Sequence, residues 1–167
     1  MNFELVHTLR IPADEYFDVV LSDEFVRWVK DTMKQDERKV VRFEEKNGTI
    51  YRTIRSEKTL GAKAQRHFKV PKFVMEEKQE IRRDDGSYTW EYIPNIGNNR
   101  FEARGTGVID ACEQGTRLTI EGEVKFRIPL IGKRIEKHTV AWVEQNFHKM
   151  LEGLEEFYER GYKGKKE

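Results

Sequence analysis

Near the start of the chain Phe3, Leu5, His7 and Leu9 alternate with Glu4, Val6, Thr8 and Arg10, the two-residue period of a strand with one face turned inward. That strand is expected to end at Arg10 or Ile11. Pro12 suits a first helical position and Asp14 and Glu15 suit the positive end of a helix, while Phe17, Val20 and Leu21 follow at helical spacing. Ser22 is placed to cap a second short helix carrying Phe25, Trp28, Val29 and Met33 on one side.

From Val40 to Ile128 the period becomes that of strands separated by turn residues. Val40–Lys46 and Thr49–Glu57 flank Asn47-Gly48, a pair suited to a type I′ hairpin because both central residues need positive φ. Phe73–Arg83 and Ser87–Ile93 flank Asp84-Asp85-Gly86, and the strand Arg100–Cys112 lies between Asn98-Asn99 and Glu113-Gln114-Gly115. Successive hairpins predict an antiparallel meander. In Arg117–Ile128 the residues Leu118, Ile120, Val124, Phe126 and Ile128 share one face and charged or hydroxyl side chains occupy the other, so that sheet is expected to be wet on one side. Leu60–Lys69 has weak periodicity and reads as a loop or a short edge strand.

After Pro129 the spacing predicts a long helix from Ile131 to Tyr162. Ile131, Ile135, Trp142, Met150 and Phe157 form one side of its wheel, and Val140, Val143, Phe147, Leu151, Leu154 and Tyr158 extend the apolar arc to roughly half the circumference or more. A helix lying on a flat sheet needs a stripe of only about 100°. The breadth of the arc therefore predicts either a second layer of helices or a dimer contact, or a sheet curved around the helix with interior space between them.

Composition narrows the class. The 167 residues hold 31 Lys and Arg against 30 Asp and Glu, so the charge that would favour disorder, nucleic acid or an anionic membrane surface is missing. One domain is expected over residues 1–162, with 163–167 as a short basic tail. The single cysteine, Cys112, has no internal disulfide partner, and no apolar run of signal-peptide or membrane-spanning length occurs, so a cytoplasmic location is expected.

Catalytic and metal motifs are missing from the sequence. His7, His67, His138 and His148 form no close zinc pair, and neither a nucleophile elbow nor a phosphate-cradling glycine loop occurs. Gly105-Thr106-Gly107 lies within a strand, where it would permit bending or close approach of the final helix. Tyr88, Trp90 and Tyr92 share a strand face near Arg82, Arg83 and Arg100; interleaved Glu91 and Glu102 argue against a base-stacking platform, so no nucleic-acid partner is expected. Those three aromatics are expected in the core or a pocket wall. No catalytic residue, metal or cofactor is assigned.

The order of elements resembles the helix-grip fold of the START-like, or SRPBCC, superfamily, across essentially the whole chain. The most specific stretches are Phe3-Glu4-Leu5-Val6-His7-Thr8-Leu9-Arg10-Ile11-Pro12-Ala13, leading to Phe17 and Leu21, and Val124 to Glu136 with its Pro129-Leu130-Ile131-Gly132 turn. The latter is similar to an uncharacterised branch with a Pro-Leu-x-Gly turn before the final helix. The resemblance implies an α+β helix-grip fold: a curved antiparallel sheet, two short N-terminal helices and a long C-terminal helix. It also implies a cavity for a lipid, sterol, isoprenoid or polyketide-like molecule. Fold alone does not determine function; a protein-interaction module, or a cyclase- or aromatase-like enzyme using His7 to move a proton, are the alternatives.

The expected wall combines His7, Leu9, Phe43, Trp90, Tyr92, Phe101, Leu118 and Ile120 from the strands with Trp142, Met150 and Leu154 from the final helix. His7 or a tyrosine hydroxyl would be the polar handle for a hydrophobic small-molecule ligand.

Overall fold

The computed structural model describes residues 1–97, 100–127, 129–130 and 132–162. The Asn98-Asn99 turn, Ile128, Ile131 and the basic tail lie outside the described residues.

Strand β1 (Asn2–Leu9) is followed by α1 (Ala13–Leu21) and α2 (Asp23–Thr32), the hairpin of β2 (Glu37–Lys46) and β3 (Thr49–Thr59), and α3 (Ala62–Phe68). Strands β4 (Lys72–Arg82), β5 (Ser87–Pro94), β6 (Phe101–Cys112) and β7 (Gly115–Phe126) follow, then α4 (Gly132–Phe157) and a π-helical turn, Tyr158–Tyr162. The sheet has the order β1-β7-β6-β5-β4-β3-β2, and every neighbouring pair is antiparallel. This is the α+β helix-grip arrangement.

Local chemistry accounts for the element boundaries. The Ser22 hydroxyl accepts a hydrogen bond from the Phe25 amide at 3.2 Å, so one residue closes α1 and caps α2. Asn47 and Gly48 both have positive φ, 52° and 76°, as the hairpin turn requires. The segment read as a loop or edge strand is instead the helix α3: none of its residues is buried, so it has no apolar face to impose a period. In the turn before α4 the positive φ falls on Leu130 rather than on Gly132. Gly132 serves close approach, since a Cβ there would lie 2.5 Å from the Phe126 carbonyl oxygen.

One face of the sheet is covered. Leu5 and Leu9 of β1, Leu118, Ile120 and Val124 of β7, and Val140, Val143, Leu151 and Leu154 of α4 form a continuous buried core. The buried stripe of α4 runs through Val140, Val143, Leu151, Leu154 and on to Tyr158, at the spacing of one helical face. The Tyr158 hydroxyl donates to Glu15 Oε2 at 2.6 Å and ties the end of this helix to α1.

Candidate functional site

Away from the densest part of the core, α1, α2 and α4 border a partly open cavity of about 100 Å³ against β3, β4 and β5. Phe17, Phe25 and Val29 form its helical roof, Phe147 and Met150 its α4 side, and Ile54, Ile81, Trp90 and Tyr92 its floor. Phe25 stacks on Trp28 at 5.7 Å between ring centroids, and Trp90 lies 5.1 Å from Tyr92. The wall is aromatic on both sides.

The floor is organised by register. Residues directly paired on antiparallel strands share a face. The pairs Arg52↔Gln79, Gln79↔Trp90, Trp90↔Gly105, Gly105↔Gly122 and Gly122↔Phe3 therefore form one row from β3 to β1. A Cβ on Gly105 or Gly122 would lie 2.6 or 2.7 Å from Trp90 Cζ2, so the two glycines give the indole room to lie over β6 and β7. A Cβ on Gly107 would likewise meet the Tyr88 ring at 2.2 Å. The Gly105-Thr106-Gly107 stretch thus admits aromatic rings from β5, not the final helix.

Four polar side chains enter this apolar wall. Arg38 Nη2 donates to Glu77 Oε2 at 3.2 Å, and Gln79 Nε2 donates to Glu77 Oε1 at 2.7 Å. Arg52, only 4% exposed, donates from Nη1 to the Val20 carbonyl at 3.2 Å. Burial pulls the Arg52 pKa down and Arg38 adds to that, while Glu77 and Asp23 oppose it. Arginine remains charged over any ordinary pH, so two guanidinium groups share the one carboxylate of Glu77. Tyr16, Tyr88 and Tyr92 also line the cavity, and burial pushes their hydroxyl pKa values well up, keeping them neutral.

Of the residues expected along the wall, Trp90, Tyr92 and Met150 line this cavity. Leu9, Leu118, Ile120 and Leu154 are buried in packed core and do not line it. Phe101 is half-buried beside Phe126, with ring centroids 4.9 Å apart. His7 faces His148 across 5.7 Å, outside the cavity lining.

Two expectations are corrected. Phe43 is 56% exposed: it shares a face with Arg52, but it sits on the edge strand β2, whose second half runs beyond helical cover. Trp142 is 59% exposed because the buried stripe of α4 passes through Val140, Val143 and Leu151, which puts Trp142 roughly 140° away around the helix.

The sequence reading passed over Arg38, Arg52 and Gln79. A signal for Arg52 was present: Ile50, Ile54 and Ser56 alternate on the inward face of β3, and Arg52 occupies the position between the two isoleucines.

A larger depression of about 980 Å³ lies on the opposite face of the sheet, beneath Gly105 and Gly122. It is wide open and rimmed by Glu4, Lys78, Glu91, Arg104 and Glu121, so it excludes no water and presents charges of both signs. The smaller, more sheltered cavity is the better candidate. Among the described residues no cluster of metal-ligating side chains occurs, and no helix is long and apolar enough to cross a membrane.

A family model described as "Protein of unknown function (DUF2505)" matches residues 4–159. No curated protein matches the chain. Among solved structures, TTHA0849 from Thermus thermophilus is 16% identical with a TM-score of 0.64, covering 93% of this chain and 95% of that one. The Zhui aromatase/cyclase from a Streptomyces species is 14% identical with a TM-score of 0.66, covering 97% of each chain. Ara h 8.0201 is 12% identical with a TM-score of 0.68, covering 94% of this chain and 96% of that one. At these identities the likeness establishes the helix-grip fold, and function rests on the site.

Proposed function

This chain belongs to the DUF2505 family, and we propose that it binds a hydrophobic small molecule, without chemistry of its own, in the cavity between the sheet and helices α1, α2 and α4. The observation that carries this reading is a sheltered, partly open space walled by aromatic side chains from the sheet and from all three helices. Such a space lacks contact partners for its lining, so an apolar guest restores dispersion contacts and removes its own apolar surface from water.

Size sets the guest. Ligand pockets for drug-sized molecules are about 300–1,000 Å³, whereas this one is about 100 Å³. A single ring or a short chain fits the cavity as it stands, and a sterol- or polyketide-sized molecule requires α1 and α2 to move outward. The name of the aromatase/cyclase among the structural neighbours describes that protein alone; here His7, the residue considered for proton transfer, stands outside the lining.

Titration of 4-fluorotoluene, followed by fluorine NMR, tests the reading. Saturable one-site binding is expected, with a shift of the Trp90 indole N–H signal at the same concentrations. A folded protein that shows neither saturation nor a Trp90 shift with this neutral ring would overturn it.

A further inference from the structure

The cavity has a polar end that the protein leaves unsatisfied. Five buried side-chain polar atoms have no hydrogen-bond partner among the described residues: Gln35 Oε1, Arg38 Nε, Arg52 Nη2, Gln79 Oε1 and Trp90 Nε1. All but the first belong to residues that line this one cavity. Buried polar groups are nearly always paired, because an orphaned donor has lost its water without gaining an acceptor. Their concentration at one place is the mark of a missing partner.

The chemistry of that partner follows from the atoms. Arg38 Nε, Arg52 Nη2 and Trp90 Nε1 can only donate, so the group they await is an acceptor. Two guanidinium groups face one internal carboxylate, Glu77, and the other acid whose field reaches Arg52 is the solvent-exposed Asp23 at the start of α2. Among the residues that line the cavity, its polar end therefore carries one more positive charge than Glu77 offsets. Gln79 Nε2 is held by Glu77, which turns Gln79 Oε1 to the unpaired side and leaves one acceptor for a hydroxyl or N–H on the guest. Arg52 is paired with Gln79 across β3 and β4, and Arg38 and Gln79 both donate to Glu77, which gathers these side chains at one end of the cavity; Trp90 continues the row with its indole lying over β6 and β7.

We propose, as a deepening of the small-molecule reading and resting on it, that the guest is a monocarboxylate on a small aromatic or short aliphatic body, its carboxylate received by Arg52 with Arg38. The apolar body lies against Phe17, Phe25 and Phe147. A guanidinium offers a fork of donors that matches the two oxygens of a carboxylate, and a charged hydrogen bond inside a water-poor cavity is stronger than one at the surface. A cationic guest is rejected by the same charges.

The test compares three rings of similar shape on the full chain by fluorine NMR: 4-fluorobenzoate, 4-fluorobenzamide and 4-fluorotoluene. The carboxylate is expected to bind at least tenfold more tightly than the amide. Arg52→Met should abolish that preference, and Arg52→Lys should restore part of it. Equal or weaker binding of the carboxylate than of the amide in the unaltered protein overturns the proposal, whether or not Arg52→Met folds. A preference that survives in folded Arg52→Met overturns it as well. Displacement of 4-fluorobenzoate by equimolar inorganic phosphate would reduce the site to a plain anion hole and also count against it. Binding of 4-fluorotoluene alone would sink the carboxylate and keep the apolar reading; binding of none of the three would sink both.

Discussion

Helix α4 passes α2 where Gly153 meets Trp28: a Cβ on Gly153 would lie 2.2 Å from Trp28 Cη2. The indole that fills this gap also stacks on Phe25, which lines the cavity, so the crossing of the two helices and the shape of the roof are one packing problem. Gly153→Ala would ordinarily favour a helix by about 1 kcal/mol, but the added methyl meets a ring held on both sides, and overpacking costs about 1–3 kcal/mol. A net loss of about 1–2 kcal/mol is expected, read as a lower urea midpoint with an unchanged slope. A stabilised variant would show that α2 can move away freely.

Met150 lies on the α4 side of the cavity. Met150→Trp should occupy the space and abolish 4-fluorotoluene binding while the melting temperature stays within a few degrees. In a filled interior the same change would cost about 1–3 kcal/mol through overpacking. Retained binding together with a marked loss of stability would place the guest elsewhere.

Glu77 supplies the carboxylate for Arg38 and compensates Arg52. Glu77→Gln removes the negative charge and keeps the shape, leaving the buried Arg52 and half-buried Arg38 guanidinium groups to repel each other. Breaking a buried pair in this way costs on the order of 3 kcal/mol, measurable by urea unfolding. An unchanged midpoint would mean that water already screens the pair.

The Phe126 amide donates to Glu136 Oε1 at 2.9 Å, and the Met1 amino group lies 3.4 Å from Oε2. These contacts hold the Glu136 pKa below its ordinary value of 4.5, the Phe126 hydrogen bond contributing most. A lowered folded pKa gives stability that is present above pH 4.5 and lost as pH falls through the folded value. Glu136→Gln should therefore lie below the unaltered protein at neutral pH by a constant margin, and the margin should close below pH 4.5. Urea midpoints measured from pH 7 downward check this; a margin that widens in acid would reverse the assignment.

Features that depend on near neighbours in the chain were legible before any fold was known. The alternation of Phe3, Leu5 and Leu9, the Asn47-Gly48 turn with both φ values positive, the Ser22 cap and the long periodic run before Tyr158 each reflect interactions within a few residues, and each appears in the fold. Helix α3 escaped notice because it buries no face and so leaves no period to read. Phe43 and Trp142 were misplaced for a different reason: alternation and helical spacing give relative faces, but only the position of β2 at the sheet edge and the packed stripe of α4 decide which faces are covered. The candidate site belongs wholly to that second level. Arg52, Gln79 and Trp90 stand on three strands, and their place in one row beneath α1 and α2 is set by the registers of two strand pairings, while glycines on two further strands let the indole lie down. A shift of one residue in either register would turn a member of that row to the opposite face, which is why only the assembled sheet could bring unpaired donors together around one cavity.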